Sequence, residues 1–220
     1  FVAEYGPYDL HDLDNLGRAA DLYNLGLMIK VDYDTHRFIA QRAIGSGFGS
    51  VLFADCHNVE EARDCILSTK PDTPEDGGTY GVGTRRFAYM GYGGGVEYVQ
   101  ALRDVVVMLM IEKKGAVEQL EEILALPGLD MIQWGGADYS MSIGKAGQRN
   151  DPGIKATERR VIETALKMGV QPRAEIGSAD EAKYYLDLGV RHFCIGTDIS
   201  ILFQWWKSNG DALRKVVEQA

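Results

Sequence analysis

An unbroken apolar run, VVVMLMI at 105–111, ends in a carboxylate, Glu112. A carboxylate at the end of a buried strand is costly unless it is paired, hydrated or bound to a metal. A second apolar run, MIQW at 131–134, is followed by three small residues and then by Asp138. Small residues let a ligand approach the backbone, and the amides of Gly136 and Ala137 are candidates to hold a substrate carboxylate. Two carboxylates from neighbouring strand ends, completed by waters and substrate oxygens, suit Mg²⁺ or Mn²⁺, with Co²⁺ as a further candidate, rather than zinc. No His or Cys lies in this pattern. The competing reading of the same residues is a pair of ordinary ion pairs at the rim of the fold.

Other strand ends carry charge as well. They supply Glu4 and Tyr5, Lys30 and Asp32, Asp55, Arg173 and Glu175, and Asp198. Residues two apart on a strand share a face, so Lys30 and Asp32 point alike, as do Arg173 and Glu175. Arg173 is equally a candidate substrate contact and a simple partner of Glu175. His11, His36 and His57 fall in turns, loops or helix starts and read as surface residues.

The elements that must position these groups alternate regularly. Short runs that are apolar on both faces occur at 1–3, 25–31, 50–54, 105–112, 131–135, 173–176 and 192–196. Amphipathic stretches at 15–23, 35–43, 59–67, 116–126, 156–168, 179–188 and 211–218 lie between or after them. Gly45, Gly169 and Gly189 follow helical stretches, the expected stop signal. Such alternation implies βαβ units and a parallel sheet. The class is α/β and the expected architecture a (β/α)8 TIM barrel, read as one domain over 1–220. In that fold the site lies at the C-terminal ends of the strands, where the charged residues collect. The stretch 71–95 breaks the rhythm with many glycines and with Arg85 and Arg86, and is expected to be a functional or interface loop.

Composition sets outer limits. The chain has 220 residues and a formal net charge of -9. That balance disfavours nucleic acid or an anionic membrane surface as partner. No apolar run approaches the ~20 residues that span a bilayer. Cys56, Cys65 and Cys194 are odd in number and widely spaced, which fits reduced thiols in a cytoplasmic protein. Cys56 and Cys194 lie in or beside strand-like runs and read as small core residues.

The segments VMLMIEKKGAV at 107–117 and GGADYSMSIG at 135–144 resemble the two metal motifs of the HpcH/HpaI aldolase and citrate lyase family. The likeness extends in order through 1–10, 28–54, 81–83 and the strand before Gly196, Thr197 and Asp198. It implies a barrel enzyme acting on pyruvate, oxaloacetate or a 4-hydroxy-2-oxo acid. Glu112 and Asp138 would ligate a divalent metal that stabilises an enolate. The amides at Gly136 and Ala137 would receive the substrate carboxylate. The resemblance also implies a homo-oligomer, trimer or hexamer, with the C-terminal helix against a neighbour. It matches 1–6 to the family's second strand, so one strand and one helix would precede them.

The departures from the family pattern are informative. Lys30 stands where the family carries an Arg at the end of its third strand, and Tyr5 where it carries an acid–base His. Met110 replaces a usual Gln, and Tyr80-Gly81-Val82-Gly83 replaces Arg-Gly-Val-Gly. Lys lacks the planar fork of Arg, so that exchange alters orientation. Three readings follow. The first is a metal-dependent aldolase or decarboxylase using Lys30 and Tyr5, with oxaloacetate decarboxylation and enolate addition as open as aldol cleavage. The second is a lyase in which Lys30 forms a Schiff base. The third is a non-catalytic barrel subunit.

Overall fold

A computed structural model of the chain describes residues 1–83 and 94–219. It divides into two compact units, Phe1–Pro172 and Arg173–Ala220, with the boundary inside a strand. The first unit runs α1 (Leu10–Leu22), β1 (Met28–Val31), α2 (His36–Gly45), β2 (Ser50–Phe53) and α3 (Val59–Thr69). It continues through α4 (Val96–Arg103), β3 (Val106–Ile111), the short helices α5 (Lys114–Glu118) and α6 (Leu120–Leu124), β4 (Met131–Trp134), α7 (Gly136–Ser142) and α8 (Pro152–Met168). Strand β5 (Gln171–Ile176) crosses into the second unit, which adds α9 (Ala182–Leu188), β6 (His192–Ile195) and α10 (Asp198–Glu218).

In the first unit β1, β2, β3 and β4 lie side by side in chain order, every pair parallel. In the second, β5 pairs in parallel with β6, Arg173 opposite His192. The α/β class and parallel pairing agree with the sequence reading. Six strands are described rather than seven, because the expected strand at 1–3 is a single parallel bridge between Val2 and Lys30. The Lys30 N–H donates to the Phe1 carbonyl at 2.8 Å and the Ala3 N–H to the Lys30 carbonyl at 2.9 Å. Tyr5, at φ 58°, then turns the chain out of extended geometry.

Strand periodicity sorts the core into two faces. Ile29, Val31, Val51, Phe53, Val107, Leu109, Ile111 and Ile132 belong to the large cluster shared with the helices. Leu52, Ala54, Met108 and Met110 form a separate small cluster, with Met28 and Met131 against it. Counting by twos along β1 and β3 therefore puts Lys30 and Glu112 on the same face as those methionines. The register sets Lys30 level with Leu52 and Met108, two side-chain layers below Glu112.

Several sequence expectations shift at their edges. The stretch 116–126 splits into α5 and α6 at Gln119, and 179–188 into a 3₁₀ turn, Ala179–Glu181, and α9. Helix α10 begins at Asp198, well before the expected 211, because Thr197 caps it through Ser200 N–H. Both Trp205 and Trp206 on it are exposed and meet edge to face at 4.7 Å. His11 and His57 are exposed as expected, whereas His36 is half-buried and stacks on Tyr33. Among the described residues, no helix is long and apolar enough to cross a membrane.

Candidate active site

Glu112 follows β3 and is 1% exposed. Its Oε1 accepts the Asp55 backbone N–H at 3.0 Å. Burial pushes its carboxyl up to about 7, against the opposing pull of that bond and of the Lys30 and Lys113 charges; nearby Asp138 raises it further. A buried carboxyl poised near neutrality is the kind of group that a cation or a reaction can use.

The turn after β4 is built to leave room for it. A Cβ at Gly135 would stand 2.4 Å from Glu112 Oε2 and 2.9 Å from Met110 Cε. Gly135 has an ordinary φ of -111°, so the requirement is for space and not for backbone freedom. Its N–H donates to the Ile111 carbonyl at 3.1 Å, which extends the β3–β4 ladder to the residue before Glu112. Gly136, Ala137 and Asp138 then open α7, so the Asp138 carboxylate lies in its first turn.

Asp55 ties this region together. It follows β2 at φ 62°, a conformation that Asp tolerates better than most side chains. One carboxylate oxygen takes Lys113 Nζ at 2.5 Å and the other accepts the Tyr5 hydroxyl at 2.9 Å. Burial pushes the Asp55 carboxyl up, but the bonds from Lys113 and Tyr5 prevail and leave it below the usual carboxylate value. The same bond, with burial, pushes the Tyr5 phenol up to about 12. Lys113 Nζ also stands 3.6 Å from Asp138 Oδ1. Burial lowers the Lys113 ammonium, and Asp55, with Glu112 and Asp138 near, turns the net shift upward. Lys30 engages Glu4 in a salt bridge.

The structure thus brings Glu112, Asp138, Gly135, Gly136, Ala137, Tyr5 and Lys30 into one unit, though Lys30 bonds Glu4 and Tyr5 bonds Asp55. Arg173 belongs to the other unit, in β5, where burial lowers its guanidinium. Asp55 was visible in the sequence only as one strand-end carboxylate among many, and Lys113 not at all. A Lys directly after the buried strand's Glu was the available signal. Tyr80, at the altered glycine turn, is buried and donates to the Gln41 carbonyl at 2.9 Å. Tyr98 staples that turn, donating to the Gly81 carbonyl and accepting from Gly83 N–H, both at 2.8 Å. Arg85 and Arg86 lie outside the described residues.

The donor set fits a hard divalent cation. Among the described residues no three His, Cys, Asp or Glu side chains gather as a closed metal cage. Mg²⁺ is commonly held by one or two carboxylates, with waters and substrate oxygens completing its shell. Glu112 and Asp138 are such a pair, both within the electrostatic reach of Lys113.

The chain is similar to several known proteins. The chain is 26% identical over 201 residues to a hydroxypyruvate/pyruvate aldolase of Paraburkholderia phytofirmans, covering 89% of this chain and 76% of that one. It is 29% identical over 157 residues to a 4-hydroxy-2-oxo-heptane-1,7-dioate aldolase of Escherichia coli, covering 71% of this chain. That match spans 59% of the relative's length. Among solved structures, an HpcH/HpaI aldolase/citrate lyase family protein from Burkholderia cenocepacia superposes with a TM-score of 0.83 at 26% identity, over 98% of this chain and 84% of that one. The family model for HpcH/HpaI aldolase/citrate lyase matches residues 10–202, which include the whole Glu112–Asp138 region. On that match the chain belongs to the HpcH/HpaI aldolase/citrate lyase family.

Proposed function

We propose that this protein is a divalent-metal-dependent carbon–carbon lyase, an aldolase or decarboxylase, acting on a small 2-oxo acid. The observation that carries the reading is the buried Glu112 near Asp138, on a sheet face that also carries Lys30, Leu52, Ala54, Met108 and Met110. The relatives named above are aldolases of small oxo acids, in keeping with pyruvate, oxaloacetate or a 4-hydroxy-2-oxo acid as substrate. We read the whole of 1–220 as one (β/α)8-barrel domain that works as a homo-oligomer, trimer or hexamer, in the cytoplasm.

Glu112 and Asp138 would hold Mg²⁺, Mn²⁺ or Co²⁺. Such a cation supplies Lewis-acid stabilisation of the negative charge that develops on the substrate ketone oxygen. The amides of Gly136 and Ala137 receive the substrate carboxylate. Lys30 offers a charged donor to the developing oxyanion. Its salt bridge with Glu4 favours that electrophilic role over a Schiff base. Tyr5, pushed up to about 12, stays protonated near neutral pH and serves as a proton donor, not a base. Aldol cleavage must remove a proton from the C4 hydroxyl as the C3–C4 bond breaks. Decarboxylation of a β-oxo acid needs no such base, because the departing carboxylate leaves its electron pair on C3. A proton delivered to C3 then completes the turnover. The side chains present therefore favour decarboxylation over aldol addition.

The test is a turnover screen of oxaloacetate, 4-hydroxy-2-oxo acids and pyruvate–aldehyde pairs with Mg²⁺, Mn²⁺ or Co²⁺ and with chelator. Turnover that chelator stops and Glu112→Gln abolishes supports the proposal. Chelator-resistant turnover with substrate trapped on Lys30 by borohydride replaces it with the Schiff-base reading. Absence of turnover under every condition leaves a non-catalytic subunit.

A further inference from the structure

Lys113 lies close to Asp138, yet its firm bond is with neither member of the carboxylate pair. Its Nζ sits 2.5 Å from Asp55 Oδ1 and 3.6 Å from Asp138 Oδ1, the latter too long for a hydrogen bond. An ammonium next to Asp138 is a competitor for any divalent ion, since both seek the same oxygens. A lysine stem is long and flexible enough to move between two carboxylates this close. What keeps it on Asp55 is geometry. Asp55 is fixed at φ 62°, its N–H is committed to Glu112, and its second oxygen is held by Tyr5. The Lys113 side chain is 13% exposed, so water offers it little alternative to these partners.

We infer that Asp55 is a positioning residue that keeps Asp138 available to the divalent metal by tethering the Lys113 ammonium. This rests on the proposed metal site at Glu112 and Asp138. Without the tether, Lys113 closes on Asp138 and the site becomes an internal ion pair. With it, Asp138 can turn to the metal while the ammonium stays neutralised beside it. Lys113 follows Glu112 directly in the chain, and Asp55 holds Glu112 through its backbone, so one residue sets both the ligand and its competitor.

The experiment is a Mn²⁺ titration of the purified, chelator-stripped full chain, read by the electron paramagnetic resonance signal of free Mn²⁺. Lys113→Met removes the competitor while keeping its aliphatic bulk, and should tighten Mn²⁺ binding about three- to thirtyfold. Lys113→Gln is the second variant should the first misfold. Asp55→Asn keeps the left-handed backbone but weakens the tether, and should loosen binding by a similar factor. The double variant Asp55→Asn/Lys113→Met separates tethering from bulk charge. It should bind like Lys113→Met alone, within about twofold, because Asp55 acts through Lys113. A double variant midway between the singles would show Asp55 acting by its own charge, and would overturn the inference. So would a Lys113→Met affinity equal to or weaker than that of the unsubstituted protein. If no protein binds Mn²⁺, or Glu112→Gln binds it as well as the others do, the metal site itself is wrong and the inference goes with it.

Discussion

The Asp55 backbone N–H donates to Glu112 Oε1 at 3.0 Å from a left-handed conformation, so the end of β2 holds the carboxylate at the end of β3. The bond depends on the φ of 62° and not on the Asp55 side chain. Side chains that accept positive φ should therefore preserve it. Asp55→Asn is expected to unfold in urea within about 1 kcal/mol of the unsubstituted protein. Asp55→Val should lose roughly 2–4 kcal/mol, combining left-handed strain at a β-branched residue with a loosened bond to a buried carboxylate. Equal loss in the two variants would show that the side-chain bonds to Lys113 and Tyr5, not the backbone, stabilise this corner.

Gly135 and Glu112 share one volume. A methyl at Gly135 would stand 2.4 Å from Oε2 and 2.5 Å from Cβ of Glu112. The oxygen could swing aside, but the Cβ is fixed by β3 and cannot. Gly135→Ala should cost about 1–3 kcal/mol by overpacking and move the carboxylate off its present line. Thermal melting reads the first effect and loss of Mn²⁺ binding the second. A variant that melts and binds Mn²⁺ unchanged would mean that the turn after β4 yields easily.

Glu112 also predicts a pH dependence for the metal-free protein. Its folded carboxyl is raised to about 7 from an ordinary 4.5, mainly by burial. The native state therefore holds a proton that the unfolded chain has released between those two values. Stability from this group is fully present below 4.5 and is lost as pH rises through about 7. The loss should be on the order of 3 kcal/mol. Glu112→Gln should flatten this part of the curve, as measured by urea unfolding at stepped pH with chelator present. An unchanged slope in Glu112→Gln would assign it to another group.

Much of this site is legible in the sequence because it follows from strand periodicity. Seven apolar residues before Glu112 fix a buried strand, and the small residues before Asp138 fix a close approach. What escapes is everything that depends on a turn. Tyr5 and Asp55 both lie at positive φ without being glycine, which no local pattern announces. Their convergence on one hydrogen bond joins residues 50 positions apart. The Lys113 tether is hidden for a different reason. No sequence pattern pairs Lys113 with Asp55, and only the fold brings the two together. The start of helix α10 escapes the sequence because the segment ILFQWW at 201–206 is apolar and yet exposed.

Lys30 decides between two chemistries, and its surroundings sharpen the prediction. Its ammonium pairs with Glu4, whose side chain is 9% exposed. Removing Lys30 would leave that carboxylate buried without its partner, at a cost of roughly 1–3 kcal/mol. Lys30→Ala should therefore lose turnover and lower the melting temperature together. Lys30→Arg restores the charge and the bond to Glu4, and adds a planar fork that can address a ketone oxygen as well. If Lys30 acts only as a charged donor to the developing oxyanion, Lys30→Arg keeps or improves turnover. A guanidinium cannot form a Schiff base, so a covalent mechanism predicts that Lys30→Arg is as inactive as Lys30→Ala although it melts normally. Combining the double variant Glu4→Gln/Lys30→Met with the melting curve isolates the structural part. It should melt closer to the unsubstituted protein than Lys30→Ala does, yet remain inactive. Recovery of activity in that double variant would show that Lys30 serves only to neutralise Glu4 and has no part in the reaction.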